Sequence, residues 1–159
     1  MSRFGVFLIF LSITMVLGLI LYITNPLKII AHKNDTQRIN DLAKIAVALE
    51  KYNETYGNYP RSDTETFEIL SSGGEKISWG SPLLPFIDPL PRDPSFNRKY
   101  IYFSDEQGNK TFRIYASLEN PESVENSCGL KDCANVPGEN LCGKNMPCNY
   151  GVTSGNVSP

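Results

Sequence analysis

Four cysteines are the residues of this chain best suited to covalent or metal chemistry, and all lie within the last 32 of its 159 residues. Their spacing is C-x4-C-x8-C-x5-C. Zinc sites usually use tight C-x2-C to C-x4-C pairs, and neither spacing here is as short as C-x2-C. Two disulfides formed outside the cytoplasm fit the pattern better. The cysteines are Cys128, Cys133, Cys142 and Cys148.

The cysteine pairing is open, because four cysteines allow three connectivities. We predict pairing of nearest neighbours, Cys128 with Cys133 and Cys142 with Cys148, which closes two small loops. A nucleophilic cysteine is not expected, because no histidine lies nearby in the sequence to act as its base. The single histidine, His32, also removes most chemistry that depends on imidazole. We therefore predict that the protein is not an enzyme.

Acidic side chains are the second group that could do chemistry, because carboxylates in a loop can bind Ca²⁺. No stretch matches the D-x-D-x-D-G pattern of a calcium loop, and isolated acidic residues more often cap turns. No motif singles out a carboxylate pair for glycoside hydrolysis. We predict no metal or cofactor from these residues. The candidates weighed are Asp88, Asp93, Asp105 and Glu119.

Charge is unevenly distributed along the chain. The formal net charge is −2, and residues 61–159 hold nine basic and thirteen acidic side chains, a net of −4. An acidic region argues against bulk electrostatic binding of nucleic acid, which needs clustered lysine and arginine. A local basic patch at Arg92, Arg98 and Lys99 is the alternative.

An uncharged run of 21 residues, Phe4 to Thr24, is long enough to cross a bilayer as a helix. No small-residue cleavage site follows it, so we interpret it as a retained anchor. Arg3 favours a cytoplasmic N-terminus, whereas Lys28 and Lys33 favour the reverse. The cysteine-rich C-terminal region decides the prediction: a single-pass protein with its N-terminus in the cytoplasm and its C-terminal region outside.

The sequence predicts that the helix continues to Tyr56. Pro26 predicts a kink or a restart within it. Gly57 suits a left-handed C-cap and Pro60 prevents continuation. Apolar residues recur at spacings of three and four, which predicts one buried stripe. The stripe holds Ile39, Leu42, Ile45, Ala46, Leu49, Tyr52 and Tyr56, with Arg38, Asp41, Lys44, Lys51 and Glu54 largely outside it.

Beyond Pro60 the pattern predicts short elements. Ser62 and Glu65 have the spacing of a capping box, which predicts a helix from Asp63 to Ser71. Residues 78–94 contain five prolines and indicate a loop.

Two aromatic and β-branched stretches, Lys99–Phe103 and Thr111–Leu118, predict a β-hairpin with a turn at 105–109. Residues alternate in the second strand, so we expect one face of the hairpin to be buried against the helix and the other to be wet. Asn149–Thr153 is a candidate third, edge strand. The predicted fold class is α+β.

Several stretches together resemble the type IV pilin and type II secretion pseudopilin family. A membrane-spanning helix leads into the Ala48-Leu49-Glu50-Lys51-Tyr52 stretch, and Tyr56-Gly57-Asn58-Tyr59-Pro60 follows. Then come Leu90-Pro91-Arg92-Asp93-Pro94 and the strand Tyr100-Ile101-Tyr102. The resemblance covers about Gly18 to Leu118, and the cysteine-bearing tail is similar to the disulfide-closed end of many pilins.

The resemblance implies a pilin-like architecture of four segments. Residues 1–25 would be the membrane anchor and residues 26–60 the amphipathic half of a spine helix. Residues 61–118 would form an αβ-loop and a β-hairpin, and residues 119–159 a cysteine-rich end.

The resemblance also implies a structural function in a type IV pilus or type II secretion pseudopilus. Gly18 and Pro26 match the glycine and proline that soften the first helix of pilins. The partners would be copies of itself or other pilin-like subunits, and an inner-membrane assembly platform. The alternative is a membrane-tethered extracytoplasmic binding module that does not polymerise.

The sequence departs from the family at two points. Ile9 and Phe10 stand where the family carries a glutamate, which favours a minor or divergent subunit. The acidic loop that binds Ca²⁺ in some relatives is not recognisable around Glu119-Asn120-Pro121, so we do not carry that metal over.

Overall fold

The computed structural model describes residues 3–105, 108–155 and 158–159. The chain divides into two compact units, Met1–Lys33 and Asn34–Pro159, and we call the second the head unit. The fold class is α+β, as predicted. The elements are α1 (Arg3–Thr24), α2 (Pro26–Tyr56), β1 (Ile69–Leu70), β2 (Lys76–Ile77), β3 (Ile101–Ser104), β4 (Phe112–Ala116), a 3-10 turn (Pro121–Ser123) and β5 (Tyr150–Thr153).

The predicted helix is interrupted once, at Asn25. That residue has a φ of 37°, and Pro26 begins helix α2. Proline suits a first helical position, because its fixed φ is helical and its missing N–H would have no partner there. The Asn25 carbonyl accepts the first bonds of the new helix, from Lys28 N at 3.0 Å and Ile29 N at 3.4 Å. Pro26 therefore restarts the helix.

Three antiparallel strands form the main sheet in the order β3-β4-β5. Ile101 lies opposite Tyr115, and Ile114 lies opposite Val152. The hairpin is confirmed with shorter strands, and β5 is the expected third, edge strand. Residues 106 and 107 of the predicted turn lie outside the described residues.

One face of this sheet packs on helix α2, as predicted. The helix contributes its apolar stripe to this core, and the strands contribute mainly aromatic and branched side chains. Tyr56, which we placed on the stripe, is instead 56% exposed. The core holds Leu42, Ile45, Leu49 and Tyr52 against Tyr100, Tyr102, Phe112, Ile114 and Ala116.

The predicted helix at 63–71 is wrong. The Asp63 carboxylate accepts the backbone N–H of Thr66 at 2.6 Å and that of Glu65 at 3.1 Å, which closes a local turn. Short acidic side chains compete in this way with helical hydrogen bonding. Ser62, the expected cap, is engaged elsewhere, because its hydroxyl oxygen accepts the N–H of Ser104 at 3.2 Å. The chain then enters strand β1.

The second face of the sheet is not wet, contrary to expectation. Tyr115 is fully buried, and Ser117, just beyond β4, is 1% exposed. A second cluster joins Ile101 and Tyr115 to three of the cysteines. The cystine-bearing tail therefore covers the face that alternation alone assigned to solvent.

Candidate functional site: the apolar helix and the buried charges of the head unit

Helix α1 is long and apolar enough, by length and composition, to cross a membrane. Its large side chains are open to the surroundings: Phe4 is 71% exposed and Met15 is 78% exposed. Two of its hydroxyl groups are bonded within the helix: Ser12 Oγ donates to the Ile9 carbonyl at 2.8 Å and Thr14 Oγ1 to the Leu11 carbonyl at 2.9 Å. Ser12 and Thr14 can therefore lie in an apolar medium with their hydroxyl groups hydrogen-bonded.

The two helix positions singled out from the sequence behave differently. A Cβ atom added at Gly18 would meet nothing within 4 Å, so this glycine leaves a shallow, open place on the helix surface. Small residues at such places allow two helices to approach closely in a membrane. Pro26 marks the restart of the helix at the end of the apolar segment.

Arg38 is the largest fully buried side chain of the head unit, and four polar groups surround it. Its guanidinium binds Asp93 in bidentate fashion, at 2.9 Å from Nε and 3.0 Å from Nη2. Nη1 donates to Asp35 at 2.8 Å and to Glu119 at 2.9 Å, and Nη2 donates to Ser95 Oγ at 2.9 Å. We call these five residues the Arg38 cluster.

The carboxylates of the Arg38 cluster have further donors. Asp35 accepts the backbone N–H groups of Glu119 and Asn120, each at 2.8 Å. Asp93 accepts the N–H of Ser95 at 2.8 Å. A buried charge is tolerated only when it is paired and hydrogen-bonded in this way. The cluster therefore ties helix α2 to the loop before β3 and to the segment after β4.

The electrostatics of the Arg38 cluster favour the charged forms of Arg38 and Glu119. Burial alone would lower the pKa of Arg38, but its bonds to Asp93, Glu119 and Asp35 outweigh burial and raise that pKa above its ordinary value. Burial would raise the pKa of Glu119, yet the Arg38 guanidinium and the Asn34 amide hold it below its ordinary value. The ion pair between Arg38 and Glu119 thus persists through the neutral pH range.

Two charged residues that we placed largely outside the buried stripe lie inside it. Arg38 is fully buried, and Asp41 is 6% exposed. The Asp41 carboxylate accepts the hydroxyl hydrogen of Tyr100 at 2.9 Å, and burial together with Asp41 raises the pKa of that tyrosine. Positions 35, 38, 42, 45 and 49 follow the same spacing of three and four, so the stripe continues towards the N-terminus in charged residues. One feature of the sequence indicates this burial: Asp35 lies three residues before Arg38, so the two charges share one face of the helix.

The calcium candidates separate into two groups. Asp93 and Glu119 meet, but around the guanidinium of Arg38. Asp105 instead accepts the N–H of Thr111, and Asp88 lies outside the cluster. Among the residues that the structure describes, no group of three or more histidine, cysteine or acidic side chains could hold a metal ion.

The cysteines form two disulfides, Cys128 with Cys133 and Cys142 with Cys148, which is the nearest-neighbour arrangement. A backbone hydrogen bond ties this segment to the residue directly before β5, because Cys128 N donates to the Asn149 carbonyl at 2.7 Å.

The predicted helix stop lies at the end of α2. Gly57 has a φ of 76°, and its N–H donates to the Asn53 carbonyl at 2.7 Å. The Pro60 carbonyl accepts the Tyr102 hydroxyl at 2.7 Å, so the chain is held against the sheet directly after the helix.

The alternative basic patch is largely occupied by internal contacts. Arg92 donates to the Trp79 carbonyl at 3.0 Å, and Arg98 donates to the Ser117 carbonyl at 3.0 Å. Burial and the nearby Arg38 charge lower the pKa of Arg98. These two arginines therefore stabilise loops of the head unit through hydrogen bonds to backbone carbonyls.

No protein-family model matches the chain, and no curated protein and no solved structure matches it significantly.

Proposed function

We propose that the protein is a structural subunit, minor or divergent, of a type IV pilus or type II secretion pseudopilus-like filament. The observation that carries the proposal is the exposure of helix α1, whose large apolar side chains are open to the surroundings among the residues that the structure describes. An all-round apolar helix must be covered by lipid or by other helices. In this proposal the membrane covers α1 before assembly, and copies of the helix cover one another afterwards.

Two properties of the head unit support an extracytoplasmic position. Its disulfides are typical of an oxidising compartment, and the cytoplasm keeps most cysteines reduced. Its own core is complete, with the sheet covered by α2 on one face and by the cystine segment on the other. The head unit would therefore stand outside the membrane, with the N-terminus in the cytoplasm and an inner-membrane platform adding subunits.

The test is a photocrosslinking experiment on the full chain in its native membrane. A photoreactive amino acid replaces Met15 on α1, and a matched variant carries it in place of the exposed Leu84 in the head unit. Illumination should convert the Met15 variant into dimers and higher oligomers that sediment with fibres. Deletion of residues 4–24 should abolish both the oligomers and the sedimentation.

A Met15 variant that crosslinks only to lipid or remains monomeric would contradict the filament proposal. The alternative, a tethered head that binds a ligand without polymerising, would then account for the chain.

A further inference from the structure

A concavity of about 410 Å³ lies in the head unit where helix α2 ends. Four separate segments line it: the last turns of α2, the chain directly after the helix, the β1–β2 turn and the hairpin turn. The volume lies in the range of small-molecule sites, which are concave and carry a few convergent polar groups. We call it the Tyr56 pocket. The lining residues that matter here are Tyr52, Tyr56, Asn58, Arg61, Ser72 and Asn109.

Hydrogen bonds connect the segments that line the Tyr56 pocket. Tyr59 N donates to the Asn109 carbonyl at 2.9 Å, which joins the end of the helix to the hairpin turn. Leu70 N donates to the Arg61 carbonyl at 2.8 Å, which fixes the β1 side. The Lys110 ammonium donates to the Gly57 carbonyl at 2.8 Å. The pocket is thus formed before any ligand arrives, which limits the entropy lost on binding.

Three polar side chains of the Tyr56 pocket are available to a ligand. The side chains of Arg61, Asn58 and Ser72 are exposed, and none makes a hydrogen bond or ion pair within the described part of the chain. No aspartate or glutamate is among the residues lining the pocket, although the head unit as a whole is acidic. Two cations lie at the pocket, Arg61 in the lining and the adjoining Lys110, and one carboxylate, Glu50, is engaged behind the lining by the Tyr59 hydroxyl, which donates to it at 2.8 Å. An anionic, acceptor-rich ligand suits these groups.

The aromatic part of the Tyr56 pocket has a fixed orientation. The Tyr56 ring centroid lies 4.6 Å from that of Tyr52 and 5.8 Å from that of Phe86, yet Tyr56 is 56% exposed. The ring is packed on one side and open to solvent on another. A flat ring with a negatively polarised face accepts the C–H groups of a saturated ring.

We propose that the Tyr56 pocket binds an acidic saccharide, a sugar ring that carries a carboxylate. The Tyr56 ring takes the C–H face, the amide of Asn58 and the hydroxyl of Ser72 take the sugar hydroxyls, and Arg61 pairs with the carboxylate. An apolar peptide side chain suits the pocket less well, because only two of the lining residues, Pro60 and Leu70, are aliphatic. This binding goes beyond the filament proposal and does not depend on it.

The experiment measures binding of tetragalacturonate to the full chain in detergent by titration calorimetry. Neutral maltotetraose and a tetraglutamate peptide serve as comparison ligands. We expect saturable binding of tetragalacturonate, and at least tenfold weaker binding of the other two. Arg61→Gln should weaken tetragalacturonate binding at least tenfold. The matched control Lys99→Gln removes an exposed cation of another surface concavity and should leave binding unchanged.

Three results would overturn the proposal: no saturable binding of tetragalacturonate, equal binding of tetraglutamate or maltotetraose, or equal effects of Arg61→Gln and Lys99→Gln. Unfolding curves of both variants establish that each is folded. A second pair separates ring stacking from charge: Tyr56→Phe should bind as the parent does, and Tyr56→Ser should lose at least fivefold. Equal affinity of these two variants would also overturn it.

Discussion

Helix α1 and the part of helix α2 within the head unit differ in which side chains they leave exposed. In α1, phenylalanine, leucine and methionine side chains are half to four-fifths exposed, for example Phe4 and Met15. In α2, three charged side chains, Asp35, Arg38 and Asp41, are almost completely buried. Residue type alone would have assigned the opposite environments.

The difference shows that partners, and not hydrophobicity alone, decide burial. The charges of α2 are buried because the chain supplies partners for them, with Asp93 and Glu119 for Arg38 and Tyr100 for Asp41. The large apolar side chains described in α1 are instead exposed. In the proposed function, lipid or copies of the same helix cover these side chains.

The strongest test of the buried half of this comparison is Arg38→Ala. Removing one member of a buried ionic set leaves the remaining charges unpaired, and it should cost about 3–5 kcal/mol of unfolding free energy. Denaturant unfolding of the full chain in detergent measures the loss. The matched control is Lys44→Ala, an exposed lysine of the same helix, which should change stability by less than about 0.5 kcal/mol. Similar losses for both variants would mean that the Arg38 cluster is dispensable.

The exposed half is tested by Leu17→Arg. A central arginine should disfavour membrane insertion by about 3 kcal/mol. The chain should then move from the carbonate-washed membrane pellet to the soluble or aggregated fraction. Leu84→Arg, at an exposed apolar position of the head unit, should remain in the pellet. Retention of Leu17→Arg in the membrane would show that α1 does not provide the anchor.

Tyr100→Phe tests a single hydrogen bond to one of the buried charges of α2. It removes the donor to Asp41 and leaves a buried carboxylate short of a partner, which should cost about 2 kcal/mol. Tyr150→Phe is the control, because the half-buried Tyr150 hydroxyl makes no hydrogen bond to the described residues. Chemical unfolding measures both changes. If Tyr100→Phe costs no more unfolding free energy than Tyr150→Phe, the hydrogen bond between Tyr100 and Asp41 does not stabilise the head unit.

The smallest expected effect is on the pH dependence of stability. Glu119 has a pKa below its ordinary 4.5 in the folded protein, so folding leaves it with fewer bound protons than the unfolded chain. Its contribution is complete above pH 4.5 and is lost as the pH falls through the folded pKa. Asp63, whose pKa is lowered to about 2 by its bonds to Thr66, acts in the same direction.

Thermal unfolding between pH 6 and pH 2 should therefore show a decline on acidification. The decline should be shallower for Glu119→Gln than for the parent. An equal slope in both proteins would mean that Glu119 keeps its ordinary titration on folding.

Much of the fold follows from local patterns in the sequence. The apolar run, the end of α2 near Gly57, the hairpin and the third strand each depend on periodicity or turn chemistry, which a short window contains. The core positions Leu42, Ile45 and Leu49 follow from their spacing alone.

The buried charges and the cover of the sheet could not be predicted in the same way. The partners of Arg38 lie 55 and 81 residues further along the chain, at Asp93 and Glu119, and no local pattern announces them. The burial of Tyr115 depends on where the irregular cystine segment folds back. The turn at Asp63 does not follow from spacing, because Ser62 and Asp63 are both short polar residues that can cap the same stretch.

The two disulfides close loops between residues only five and six positions apart. Each cross-link therefore joins near neighbours, and neither connects the tail covalently to helix α2. If tension were applied between residues 34 and 155, the two closed loops would shorten the fully stretched chain by only on the order of 30 Å. The mechanical resistance of the head unit therefore depends on non-covalent bonds, among them the hydrogen bonds of the sheet and the ionic contacts of Arg38.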